Sequence, residues 1–349
     1  MSEIVPHRKT IGRTTKIREY RSSLTLLDFN EGSRPVKVLF ADGSKGYGTC
    51  LGCHDAPCMT LGVSDTILPE ALSDFPGDPA RDVCPTYALS WNAAGSAIVV
   101  DDDKCIGCGL CIARCPYGAI SLTNAGKVVI ETTDPNGLTV RHDDNSASVE
   151  HLKTTRKGQI GTIQALTLRQ MPSTITSLSD LESSQFVRNL LIECGVECRI
   201  RRRGDTNIRM DGVLGLLDNR LGVLEIELTD SVLESPRALL EDVAVLHGRY
   251  GIEVGRIDPV TVVLTLPNAR SEYYQVIADI ERVLGIRCRT MTVGCLLGIL
   301  WQFQTIVGFS DDLFMTSPGD TDLLPAMKRS FGDRFPMIEP YSGAYRPSK

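Results

Sequence analysis

The run Cys105-Ile-Gly-Cys108-Gly-Leu-Cys111-Ile-Ala-Arg-Cys115-Pro116 sets four thiols at intervals of two, two and three residues and closes on a Cys-Pro step. A loop this tight can turn three sulfurs toward one point, which is what the corners of a cubane iron–sulfur cluster demand. Gly107 and Gly109 allow the loop left-handed turns and leave backbone N–H groups facing the sulfurs. Zinc sites instead favour two separated Cys-x-x-Cys pairs.

In runs of this spacing the fourth cysteine serves a second cluster, so further ligands are expected elsewhere in the chain. Upstream stand Cys50-Leu-Gly-Cys53-His54-Asp-Ala-Pro57-Cys58 and then Cys84-Pro85-Thr86-Tyr87-Ala88-Leu89. The second of these repeats Cys115-Pro116-Tyr117-Gly118-Ala119-Ile120. The pseudo-repeat predicts crossed ligation of two [4Fe-4S] clusters. Cys105, Cys108, Cys111 and Cys84 hold one; Cys50, Cys53, Cys58 and Cys115 hold the other. His54 reads as a group beside the ligands, not as one of them.

At these residues the chain resembles the bacterial-type dicluster ferredoxins, and more narrowly the iron–sulfur subunits of the dimethyl sulfoxide reductase type. The resemblance implies a ferredoxin-like domain, single-electron transfer or redox sensing, and a redox partner protein. The departure is the gap before Cys84: those families place about three residues there, whereas residues 59 to 83 intervene here. That stretch, with Pro69, Pro76 and Pro79, reads as a surface excursion. A complete second cluster, its loss and a three-iron form all stay open for the Cys50 to Cys84 set.

Composition narrows the setting. The chain has 349 residues, 42% of them hydrophobic, which suffices for two or three domains with real cores. No stretch approaches the roughly 18 apolar residues of a membrane span, and the arginine- and lysine-rich N-terminus has no apolar signal region. Twelve cysteines would suggest disulfides outside the cell, but eight of them have cluster spacing and must be reduced. A cytoplasmic protein is expected. The formal net charge of -6 is unevenly spread and excludes no partner class.

The expected class is α+β: a ferredoxin-like iron–sulfur domain followed by an α/β domain. Residues 1–33 read as a basic arm, 34–142 as the dicluster domain with its 59–83 insertion, 143–178 as a linker, 179–304 as the α/β domain and 305–349 as a Gly/Pro-rich tail. Short strands are expected over Val36 to Phe40, Ala97 to Val100, Lys127 to Thr132 and Leu138 to Arg141, the last two joined by an Asp-Pro-Asn-Gly turn. In the second half, Ser179-Asp-Leu-Glu182 is a capping box opening a helix to Glu193. Strands over 197–202, 208–216 and 221–228 follow, the last two joined by an Asp218-Asn219-Arg220 turn. Then come a helix over 231–249, a strand from Val260 to Leu266, a helix from Glu272 to Leu284 and a strand from Cys288 to Val293.

This α-β-β-β-α-β order, with the residues on its second and third strands, resembles the restriction-endonuclease-like nucleases of the PD-(D/E)xK superfamily. Asp211 in Arg209-Met-Asp211-Gly matches the aspartate of the second strand, and Glu225-Ile-Glu227 matches the Glu-x-Lys of the third. The resemblance implies catalytic roles for Asp211, Glu225 and Glu227, and Mg²⁺ held by Asp211, Glu225 and Glu182 to activate water on a phosphate. Glu227 departs from the usual lysine, so an active enzyme and an inactive descendant both remain open.

Arg199, Arg201, Arg202, Arg203 and Arg209 cluster on the way to Asp211. Strand alternation would put Arg199, Arg201 and Arg203 on one face, which suits either a DNA backbone or an acidic redox partner. Cys194, Cys198, Cys288 and Cys295 lie in or beside apolar elements and read as small hydrophobes. His151 and His247 read as structural or exposed, and Trp91 and Trp301 as packing anchors.

Overall fold

The computed structural model describes residues 3–10, 13–18, 23–26, 38–41, 58–61, 72, 74–92, 97–101, 103–114, 120–122, 128–130, 168, 170–216, 220–229, 232–301, 306, 321–331 and 343–347. The chain divides into two compact units, Met1–Val63 with Arg81–Arg169, and Ser64–Ala80 with Gln170–Lys349.

The first unit is built from short two-stranded ladders. Strand β1 (Glu3–Thr10) pairs antiparallel with β2 (Arg13–Arg18), and β3 (Ser23–Leu26) with β4 (Val38–Ala41). Strand β5 (Leu89–Asn92) follows the Cys84-Pro85 step and pairs with β6 (Ala97–Val100), which leads into the Cys105 loop. After that loop come the short helix α1 (Leu110–Arg114) and the β7–β8 ladder (Ile120–Leu122 with Val128–Ile130). The expected turn before Leu138 and the strand it opens lie outside the described residues, as do His54 and His151.

The second unit holds a five-stranded mixed sheet in the order β13-β12-β11-β10-β9. Helix α2 (Asp180–Glu193) opens on the capping box: the Glu182 N–H donates to Ser179 Oγ at 3.4 Å, and Glu182 Oε2 accepts from the Ser179 N–H at 2.8 Å. Strands β9 (Glu197–Ile200), β10 (Gly212–Gly215) and β11 (Leu221–Glu227) form an antiparallel meander. Helix α3 (Ser235–Tyr250) begins with Pro236 in its first turn and stops at Gly251, whose φ of 68° is the left-handed cap that glycine adopts freely. It returns the chain to β12 (Ile257–Val263), parallel to β11; helix α4 (Glu272–Leu284) then leads to β13 (Arg289–Thr292), parallel to β12. The meander thus gives way to helical crossovers, and the element order matches the expected alternation.

Packing follows the apolar pattern. The apolar run Val293–Trp301 is helix α5, buried along its whole length. Among the described residues no helix is long and apolar enough to cross a membrane. Cys194, Cys198, Cys288 and Cys295 are buried thiols; burial pushes the last three up to about 12, so they stay protonated and inert. His247 Nδ1 lies 2.9 Å from the Ile252 carbonyl, a helix-end contact. On β12, buried Asp258 receives a two-pronged pair from Arg220, at 2.6 and 2.7 Å, and a further bond from Arg289.

Three stretches depart from their sequence reading. Residues 170–175, inside the expected linker, are helical, with Met171 and Ile175 buried at a spacing of four. In the expected tail, α6 (Leu323–Phe331) buries Leu323, Leu324 and Met327, and residues 343–347 dock on the sheet: Leu266 N–H donates to Gly343 O at 2.8 Å and Leu323 N–H to Tyr345 O at 2.8 Å. Gly343 makes this close approach, since a Cβ there would meet Thr265 Cβ at 2.7 Å. The excursion after Cys58 is not all surface: Leu72 and Phe75 are buried, and Gly77 bridges Arg201 beyond the end of β9. Backbone pairing by Gly77 and Asp78 covers the end of β9 at the sheet edge.

Candidate functional site

The first candidate site grows from the Cys105 loop. Gly107 and Gly109 take φ values of 66° and 81°, and these left-handed turns curl the loop around its own centre. The Cys105 N–H donates to Asp101 O at 3.0 Å, and Ala113 N–H to Gly109 O at 3.0 Å, so α1 begins as soon as the loop closes. Cys108 and Cys111 are buried. Burial, then the neighbouring Cys84 and Cys105, push the Cys108 thiol well up; burial, then Cys108, Cys58, Cys105 and Cys84, do the same to Cys111. Four cysteines from three separate segments therefore lie within electrostatic reach of Cys111.

Cys84 joins this group through the strand after it. The Ala88 N–H points at Cys84 Sγ from 3.3 Å, the Tyr87 N–H donates to Cys84 O at 3.2 Å, and Asp101 N–H donates to Ala88 O at 2.7 Å. The chain ahead of the Cys105 loop is thus bonded to the turn that carries Cys84. Cys58 sits on a paired stem: Val83 N–H donates to Met59 O at 2.9 Å, and Arg114 at the end of α1 donates to Thr60 O at 3.4 Å. These features suit an iron–sulfur cluster. The donors are soft sulfurs, none is in a disulfide, and an N–H already faces a sulfur. Cluster iron would reverse the upward push on the thiols and hold them as thiolates. Among the described residues no three Cys, His, Asp or Glu side chains are drawn into ligating contact; Cys50, Cys53 and Cys115 lie outside the described residues.

Residues 98–121 match the 4Fe-4S binding domain family. This segment is a 4Fe-4S ferredoxin domain. A polyferredoxin-like subunit of an aliphatic sulfonate oxidoreductase from Pyrococcus furiosus is 40% identical over 60 residues, which are 17% of this chain and 34% of that one. The translation initiation factor rli1 of Schizosaccharomyces pombe is 36% identical over 85 residues, 23% of this chain and 14% of its own. A selenate reductase subunit from Mesobacillus selenatarsenatis is 32% identical over 95 residues, 20% of this chain and 32% of its own. The matched stretch thus spans about a third or less of each of these relatives. No solved structure matches the chain.

The second candidate site lies in the other unit, where β10 and β11 pair. Gly212, the first residue of β10, stands opposite Leu224; Asp211 precedes it, and its charge acts on Glu225. The Ile226 N–H donates to Asp211 Oδ2 at 3.0 Å, and an Arg201 guanidinium nitrogen lies 3.6 Å from Asp211 Oδ1. Burial raises Asp211, offset by the Ile226 N–H and Arg201. Burial, followed by repulsion from Asp211, Asp242 and Glu227, pushes Glu225 up to about 8. Glu227 shares the face of Glu225, and its Oε1 accepts from the Thr229 N–H at 3.1 Å.

Two further residues bear on this group. Glu182 spends its carboxylate on the capping box, accepting from both the N–H and the hydroxyl of Ser179, and is not among the groups that shift Asp211 or Glu225. Asp242, which no motif picks out, takes part instead. It projects from α3, is 1% exposed, and has Arg209 Nε at 3.6 Å from Oδ1. Burial, opposed by Arg209 and reinforced by Asp211 and Glu241, pushes it up to about 7. Its signal was present in the sequence: with Leu239, Val243 and Leu246 on one helix face, a charged residue at 242 stands on the apolar stripe.

The arginines do not follow strand alternation. β9 ends at Ile200, and Arg201, Arg202 and Arg203 turn together into an open cleft of ≈ 510 Å³, with Ser179, Ser184 and Asp211 on its walls. The Arg199 side chain lies beside Gly77 instead. Alternation holds only while the strand does; the turn at 202–205 re-aims the side chains.

Proposed function

We propose that the chain is an electron-transfer protein with two [4Fe-4S] clusters in its first unit, serving a redox partner protein. Cys105, Cys108, Cys111 and Cys84 hold one cluster, and Cys50, Cys53, Cys58 and Cys115 the other. The observation that carries this reading is the approach of Cys84 to the Cys105–Cys111 loop, inside a segment that matches 4Fe-4S domains. A bound cluster takes up and releases one electron at a time. The residues around it keep the thiols buried, aim N–H groups at sulfur and exclude water. Two of the three relatives described above are named as subunits of oxidoreductases, which fits a partner that supplies or accepts electrons. Anaerobically purified protein is expected to contain about eight iron atoms per chain. A value near four sinks the two-cluster assignment, and clusters that cannot be reversibly reduced sink electron transfer.

A second reading concerns the other unit, and the approach of Asp211 to β11 beside Glu225 favours it. A restriction-endonuclease-like domain would hold Mg²⁺ at these carboxylates, with Glu227 beside them, and the arginine cleft would track DNA. Mg²⁺- or Mn²⁺-dependent cleavage that disappears in Asp211→Ala and Glu225→Ala supports an active enzyme. Wild-type protein that cuts no DNA with either metal leaves this unit as an inactive descendant.

A further inference from the structure

The turn that carries Cys84 closes on the sulfur itself. Thr86 Oγ1 lies 3.4 Å from Cys84 Sγ, and the Ala88 N–H points at the same sulfur from 3.3 Å. The Tyr87 N–H completes the turn by donating to Cys84 O at 3.2 Å, and all of these residues belong to the first unit. Thr86 is buried, so little water competes for its hydroxyl.

The backbone is strained to make this turn. Tyr87 has a φ of 53°, the one positive value at a non-glycine position among the described residues. A bulky side chain is disfavoured in that region, and such strain persists where surrounding contacts fix the conformation. In the related run Cys115-Pro116-Tyr117-Gly118-Ala119 a glycine stands at the matching place, and Tyr117 stands where Thr86 does. The two Cys-Pro steps are therefore chemically unequal: only the one at Cys84 carries a short hydroxyl two residues after its cysteine.

We propose that the Thr86 hydroxyl raises the reduction potential of the cluster that Cys84 ligates. The proposal rests on the iron–sulfur reading of the cysteines and adds a residue that sets the two clusters apart. Cys84 bound to iron is a thiolate with no proton to give, so Thr86 donates and the sulfur accepts. Reduction adds one electron, supplied by the redox partner, and no bond to sulfur forms or breaks. The extra negative charge makes the ligand sulfurs better acceptors, so a donor held against one of them stabilises the reduced cluster more than the oxidised one.

Redox titration of the anaerobically purified full chain tests this, followed by visible absorption and electron paramagnetic resonance, with iron measured on each sample. Thr86→Val keeps the branched shape and removes the donor. It is expected to retain the wild-type iron content and to weaken one of the two reduction transitions about tenfold, a downward shift of about 59 mV for one electron, while the other stays in place. Thr86→Ser, which restores a hydroxyl, should return that transition close to its wild-type position. Loaded Thr86→Val with both transitions unmoved overturns the proposal. So does an equal shift of both, or Thr86→Ser titrating as low as Thr86→Val. Loss of iron in Thr86→Val makes the hydroxyl structural and overturns the tuning role as well. Wild-type protein with no reversible one-electron transition refutes the electron-transfer reading itself, and the proposal falls with it.

Discussion

Replacing Glu225 by glutamine should stabilise the protein. Glu225 lies on β11, and burial with repulsion from Asp211, Asp242 and Glu227 moves its titration from 4.5 up to about 8. A group raised in the folded state contributes stability below its unfolded pKa and loses it as pH climbs through the folded value. The wild type is therefore favoured near pH 4.5 and loses stability up to about pH 8. Full linkage would make that loss about 3 kcal/mol at pH 7. Glu225 is part-exposed, and solvent screening lowers the expected figure to about 1 to 2 kcal/mol. Glutamine keeps the size and removes the charge. Urea unfolding without added divalent cation, followed by Trp301 fluorescence in a Trp91→Phe background, reads the difference. Glu225→Gln should match the wild type near pH 4.5 and exceed it at pH 7 to 8. A variant less stable at pH 8, or two stability curves that run parallel across this range, would contradict a raised Glu225 titration.

Asp258→Ala, which strips a buried acceptor from Arg220 and Arg289, should cost about 3 to 5 kcal/mol in the same urea assay; a loss below 1 kcal/mol would show that the network is replaced by water. Glu182→Gln should cost about 0.5 to 1 kcal/mol through the weakened cap. It should leave any Mg²⁺ or Mn²⁺ response as in the wild type; a lost metal response would return Glu182 to the carboxylate site.

Cofactor chemistry and the order of elements are legible along the chain. Cys105 to Cys115 can be read because loop ligands are local: their spacing is their geometry. The capping box at Ser179 and Glu182 and the α-β-β-β-α-β order are legible for the same reason, since caps and periodicity act over one or two turns. Which role Glu182 serves is less legible: its acidity suggests a metal ligand, while its carboxylate accepts from the Ser179 N–H and hydroxyl. Which distant residues meet was settled by packing in three dimensions. Packing brought Asp211 to β11 beside Glu225, brought Asp242 from α3 toward them, turned Arg201 to Arg203 into one cleft, and used the excursion after Cys58 to cover a sheet edge. Those contacts depend on strand register and on where buried side chains find partners, and neither is encoded in the spacing of residues along the chain.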